Sequence, residues 1–236
     1  MGIRRHLWRA TFTNDTTMLP QRMAAGQRLE SQRNAGTSPP LPAPVLMAMA
    51  GLAYGDGDIG ICAGLLLGYH CILRTAELCG AEVGNIRLSD ELKGVIALPL
   101  TKIGQQRGAM EMVTIDDQQV GHFVALAQNG MPPTAPLIRC TTAQFRRCFD
   151  GYLSRLQLTH AGYRPYSIRR GGATHDFRST GDVAHTLFRG RWASTRVARI
   201  YITDGLAVLD DISQQPGVKG RIAAATALLR GNAGRK

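Results

Sequence analysis

Tyr166-Ser-Ile-Arg169-Arg170-Gly171-Gly172-Ala-Thr decides how this chain is read, with Gly190-Arg191-Trp192 and Ala198-Arg199-Ile200-Tyr201 following it. Trp192 comes 23 positions after Arg169, and Tyr201 comes 9 after Trp192. Periodicity predicts short helices here with polar and basic exposed faces. Pro165 precedes the stretch and Ser167 is its expected N-cap. Gly171 and Gly172 let the helix start approach another backbone, and its first N–H groups can face a phosphate. Arg170 is one residue past Arg169, about a quarter-turn around the helix, so the two point differently. None of this explains why the region is so rich in arginine.

Upstream, Leu73-Arg74-Thr75-Ala76-Glu77-Leu78 places Arg74 and Glu77 three apart, on one helical face where they can pair. Arg74 directly follows an apolar stretch, Ile59 to Leu73, and a buried guanidinium needs an anion. That stretch is 15 residues long, short of the ~20 a bilayer requires, and reads as a buried helix. Gly60, Gly64 and Gly68 form a stripe along it that admits a close neighbour, and Asp56 or Asp58 is its expected cap. Asn85–Leu88, Gly94–Leu100 and Ala109–Ile115 read as strands. The last two flank a glycine-containing turn, 101–108, with Lys102 at the tip of the small sheet.

Helices are further expected at 45–54, at Asp116–Gln128, and from a Thr141–Gln144 capping box to about residue 158. A short one runs from Gly181 to Gly190, and one capped by Ser194 carries Tyr201 and ends at Gly205. The last is Arg221–Arg230. Residues 1–44 are arginine-rich and end in Ser38-Pro-Pro-Leu-Pro-Ala-Pro44, the composition of a flexible basic arm and linker. A domain over 45–210 and a helical, basic tail over 211–236 complete the division. No internal repeat is visible.

The net charge is +11, and only four of 28 basic residues are lysines (Lys93, Lys102, Lys219, Lys236). The rest are arginines, whose planar fork matches two phosphate oxygens at once. A polyanion is the default partner, nucleic acid before membrane; a basic structural protein has the same composition. The five cysteines, Cys62, Cys71, Cys79, Cys140 and Cys148, are odd in number and lack CxxC spacing. Reduced thiols in an intracellular protein fit better than a disulfide framework or metal site. His160, His175 and His185 have no ligand-like spacing. No apolar run follows the N-terminal Arg4-Arg5, so a secretory signal is not expected.

In order, Arg74, Lys102, Tyr166-x-x-Arg169, Trp192 and Tyr201 resemble the catalytic domain of the tyrosine recombinases, over residues 45–210. The wording Pro-Tyr-Ser-Ile-Arg-Arg-Gly-Gly-Ala-Thr with Gly-Arg-Trp is most similar to recombinases of DIRS- and Crypton-type mobile elements. The resemblance implies a mainly helical α+β domain with a small three-stranded antiparallel sheet. It implies double-stranded DNA as partner, DNA breakage and rejoining through a 3′-phosphotyrosyl link, and no metal or other cofactor. Arg74, Arg169 and Trp192 would hold the phosphate, Glu77 would support Arg74, Lys102 would protonate the leaving oxygen and Tyr201 would attack. Arg170 is expected on a neighbouring phosphate or a carboxylate, and Arg191, Arg196 and Arg199 on the DNA backbone or solvated. A tetramer on DNA is the family expectation, and the location is intracellular, nuclear if the cell is eukaryotic.

Two features depart from the family pattern. Tyr166 stands where His or Lys is usual, and a phenol is a weak acid near neutrality. Residues 1–44 are too short for the N-terminal DNA clamp of the relatives. A fragment, a decayed copy and a domesticated DNA-binding derivative are therefore alternatives, as is topoisomerase IB-like activity.

Overall fold

The computed structural model describes residues 38–98, 110–196, 198 and 216–230. The elements are α1 (Ala43–Gly55), α2 (Ile59–His70), α3 (Thr75–Cys79), β1 (Ile86–Leu88), β2 (Gly94–Leu98) and β3 (Glu111–Ile115). They continue with α4 (Gln118–Gln128), α5 (Thr142–Arg155), α6 (Pro165–Thr180), α7 (Val183–Gly190) and α8 (Pro216–Arg230).

The centre is α2. Ile61 to Tyr69 are buried without a break, the mark of a helix covered on all sides. Its glycine stripe does what the spacing suggests. A Cβ on Gly60 would stand 2.7 Å from Leu137 O, and one on Gly64 would stand 2.2 Å from Ile138 Cδ1. At Gly68 the neighbours are Leu78 and Ile168. The expected cap is absent: Asp58 occupies the N-cap position without a side-chain bond, and Asp56 instead pairs with Arg155.

The sheet has the order β1-β2-β3, both pairs antiparallel, with Ile86 opposite Ile96 and Ile96 opposite Val113. Ile86, Ile96, Leu98, Val113 and Ile115 turn one face into the core. Leu98 and Glu111 face each other as the last described pair of β2 and β3. The hairpin itself, with Lys102, lies outside the described residues.

α5 follows its capping box, with Thr141 and Gln144 satisfying each other's backbone, and buries Phe145, Phe149, Tyr152 and Leu153. α4 starts one residue after its N-cap Asp117, whose carboxylate accepts from Gln119 and Val120.

The central stretch differs from expectation. Its first part is one helix of 16 residues, followed by the short α7 as expected, but Arg169 and Arg170 are on its buried side rather than on an exposed basic face. Ser167 is inside the first turn rather than at the cap; its hydroxyl accepts from the Arg164 N–H at 3.0 Å. Tertiary crossing selects this face. A Cβ on Gly171 would meet Leu41 O at 2.1 Å, and one on Gly172 would meet Tyr69 O at 2.1 Å. Leu41 N–H also donates to Ser167 O at 2.9 Å. Pro39 to Pro42, expected in a linker, are thereby buried, and the packed body begins ahead of residue 45. α8 lies against α1 closely enough that a Cβ on Gly51 would stand 2.0 Å from Ala225 O.

Among the described residues, no helix is long and apolar enough to cross a membrane, and no group of three His, Cys, Asp or Glu could hold a metal ion. The five cysteines are free thiols. Burial pushes Cys62 and Cys71 up to about 12.

Candidate active site

The site is built on the end of α2. A helix leaves its last carbonyls without partners, and an all-apolar helix has few side chains of its own to supply them. The chain turns sharply here, with Ile72 in the left-handed region at φ 51. Three arginines from the far end of the sequence satisfy the turn. Arg189 Nη2 donates to His70 O at 2.8 Å, and Arg191 Nη1 donates to Cys71 O at 3.3 Å. Arg169 Nη1 donates to Ile72 O, which also accepts from Arg191 Nη2 at 3.4 Å. Arg169 Nη2 reaches back to Gly190 O at 2.7 Å.

Two residues past this turn, Arg74 is the N-cap of α3. Its backbone N–H donates to Glu77 Oε2 at 2.8 Å, and its Nη1 pairs with Glu77 Oε1. The same Oε2 accepts from Arg191 Nη2 at 2.7 Å and lies 4.0 Å from Arg169 Nη1. One carboxylate, 9% exposed, therefore sits among three guanidiniums. Glu111, at the start of β3, is 3.3 Å from Arg191 Nε. Three cations against two carboxylates leave the cluster positive. Low exposure strengthens these interactions and makes an unpaired charge costly. Burial lowers the pKa of Arg191 from its ordinary value; Glu77 and Glu111 oppose that shift.

Trp192 closes the cluster. It is buried, and Arg169 Cζ lies over its indole ring, 5.0 Å from the centroid, a cation–π distance. Arg191 holds φ +55, in the left-handed region, as the C-cap of α7. That turn sends the chain from α7 back toward Arg169.

Of the residues singled out in the sequence, Arg74, Glu77, Arg169 and Trp192 meet at this point. Tyr166 is at the first turn of α6, 40% exposed and three residues before Arg169. Lys102, Arg199 and Tyr201 lie outside the described residues. Two expected DNA-backbone contacts are placed inward instead. Arg170 is buried beside Arg169, and the Arg191 side chain is only 7% exposed, turned to Glu77 and the α2 carbonyls. For Arg191 the physical reason is demand for donors: the turn after α2 supplies Cys71 O and Ile72 O within its reach.

Arg189 was missed by sequence reasoning. It pairs with Asp116 at 3.2 Å and Asp176 at 3.4 Å, and its Nη2 is 3.2 Å from His70 Nε2. Asp176 also accepts from Thr186 and contacts His185. Its only sequence signal was an arginine in the last turn of a predicted helix. Burial and Arg189 lower the His70 pKa against the pull of Asp116. For Asp116 burial acts upward, but Arg189 and His70 outweigh it and hold the carboxyl below its usual range.

This architecture is that of the tyrosine-recombinase catalytic domain: a mainly helical α+β unit with a small antiparallel sheet. The structure of XerA recombinase superposes with a TM-score of 0.55 at 16% identity, covering 77% of this chain and 65% of that one. XerH site-specific recombinase bound to palindromic difH substrate, in a post-cleavage complex, gives 0.56 at 12%, covering 75% and 54%. The XerH pre-cleavage complex with difH substrate gives 0.55 at 12%, covering 74% and 53%. The chain thus spans between about half and two thirds of the length of these relatives. No known family pattern and no curated protein sequence matches it.

Proposed function

We propose that this chain breaks and rejoins double-stranded DNA through a covalent tyrosine–phosphate link, as a site-specific recombinase. The observation that supports this is the meeting of Arg74 and Arg169 at Glu77, with Trp192 under Arg169, on a fold of that class. A phosphodiester resists attack because its oxygens are negative, and charge builds on them further in the pentacoordinate transition state. Two guanidiniums and an indole N–H are donors of the right kind for those oxygens.

In the proposed reaction the Tyr201 oxygen bonds to phosphorus and gives up its proton, and the bond from phosphorus to the 5′-oxygen breaks. Lys102 delivers a proton to that leaving oxygen. The phosphotyrosyl link conserves the bond energy, so attack by a 5′-hydroxyl reverses each step. Tyr166 can donate a hydrogen bond to a phosphate oxygen, and its phenol makes it a poor proton source. Self-association on DNA and a mobile-element origin of the DIRS or Crypton kind belong to the same proposal; the wording of the central stretch supports the second.

The test is trapping. Duplexes of random sequence, each nicked so that the cleaved fragment diffuses away, are incubated with the chain and adducts surviving detergent are counted. The wild type is expected to form adducts, and Tyr201→Phe to form none while still binding duplex. Adducts from Tyr201→Phe would refute the nucleophile.

A second reading, a DNA-binding derivative without catalysis, is favoured by one observation. Arg169 is 1% exposed, and both terminal nitrogens are on backbone carbonyls. Under that reading the wild type shows binding and no adduct.

A further inference from the structure

We propose that Arg191 is a positioning residue of this site, the side chain that satisfies Glu77 so that Arg169 keeps its place on Ile72 O and Gly190 O beside Arg74. The inference rests on the recombinase reading and deepens it. Three chain segments converge on this one guanidinium. Its Nη2 donates to Glu77 Oε2 at 2.7 Å, which ties it to the helix that Arg74 caps. Its Nη1 takes Cys71 O at 3.3 Å, and Nη2 takes Ile72 O at 3.4 Å, the carbonyl that also receives Arg169. Its Nε lies 3.3 Å from Glu111, at the start of β3. The residue that follows it is Trp192, over whose ring Arg169 lies.

The distances to Glu77 show what Arg191 decides. Oε2 is 2.7 Å from Arg191 and 4.0 Å from Arg169. A buried carboxylate draws the nearest cation it can reach, because an uncompensated charge at low dielectric is costly. With Arg191 in place the carboxylate is satisfied on that side, and Arg169 stays on Ile72 O and Gly190 O. Without it, Arg169 is the remaining buried guanidinium near enough to close on Oε2. It would then leave Ile72 O and Gly190 O, and with them its place over Trp192. Arg191 touches no reacting atom in this account and acts through Glu77 and the α2 turn.

The consequence is a split between rate and affinity. A surface arginine on a DNA phosphate contributes to binding, and its loss weakens affinity and lowers the salt slope by about 1. A positioning residue contributes to the chemical step, where a displacement of about 1 Å costs on the order of 100-fold. The experiment measures two quantities on the full chain, using a nicked duplex recovered from the trapping selection. They are the adduct rate at saturating DNA, and the dissociation constant at several salt concentrations. For Arg191→Met, the rate is expected to fall about 100-fold, with affinity and salt slope within about twofold of wild type. Arg191→Lys, which keeps one charged donor toward Glu77 but no fork, is expected to recover part of the rate.

Circular dichroism checks that each variant is folded. If the Met variant is not, the Lys variant carries the same measurement, with a rate loss at unchanged affinity expected. Weakened binding with an unchanged rate at saturation would overturn the inference and return Arg191 to the DNA backbone. A rate equal to wild type in both variants would overturn it too. A wild-type chain that forms no adduct refutes the recombinase reading itself, and this inference falls with it.

Discussion

At the scale of single residues, the site is a set of arginines, with His70 beside them, answering carbonyl groups and carboxylates. His70 is the member of this set with a pH signature. It ends α2 and faces Asp116 Oδ1 at 2.5 Å and Arg189 Nη2 at 3.2 Å, with Asp117 also acting on it. Burial and Arg189 depress its pKa below the ordinary 6.5. The unfolded chain therefore takes up a proton at a pH where the folded chain does not. Stability from this group is complete above about 6.5 and is lost as pH falls toward the depressed value. The depressed Asp116 acts in a separate, lower window, below its ordinary 3.8. Urea midpoints measured across this range should decline from neutral to mildly acid pH, and His70→Gln should flatten that decline. An equally steep decline in the variant would assign it to other groups. Nothing local in the sequence marks His70 for this role, because Arg189 lies 119 positions away.

At the scale of elements, close helix crossings place the arginines, and glycines make the crossings possible. Gly172 lets α6 rest on the last turn of α2, with a Cβ only 2.1 Å from Tyr69 O. Gly172→Ala has to push two backbones apart and should lower stability by about 1–3 kcal/mol in chemical denaturation. The shift also moves Arg169 relative to Ile72 O, so adduct formation should fall with it. Gly151, on the exposed face of α5, has nothing within 4 Å of the point a Cβ would occupy. Gly151→Ala should raise stability by about 0.5–1 kcal/mol, since the substitution restricts only the unfolded chain and removes a poor helix former. Equal effects at the two positions would contradict this account. The glycines of α2 and α6 were legible in the sequence as points of close approach. Which backbone approaches was not, because Leu41 and Tyr69 are far from Gly171 and Gly172 along the chain.

At the scale of the whole molecule, a net charge of +11 carries the expectation of a polyanionic partner. Composition does not say which arginines face it. Arg169, Arg170 and Arg189 are buried, and Arg191 is turned inward, while Arg146, Arg147, Arg164, Arg178 and Arg196 are exposed. Duplex affinity should therefore fall steeply with salt, with a logarithmic slope of about −4 or steeper, and the exposed set should carry it. Titration by fluorescence anisotropy at four salt concentrations measures this slope. A value near zero would remove nucleic acid as the partner.

Among the described residues, the sequence alone determined the main elements and their order. The continuous apolar run of α2, the Thr141–Gln144 box of α5, the antiparallel strand pairing and the Arg74–Glu77 spacing are local patterns, settled within a few positions. The tertiary structure decided which side chains the arginines serve. Arg169, Arg189 and Arg191 answer carbonyls 97, 119 and 120 positions upstream, and no periodicity reports a partner at that range. Their burial follows from the unmet acceptors at the end of an apolar helix. That requirement exists only once α6 and α7 have packed against α2.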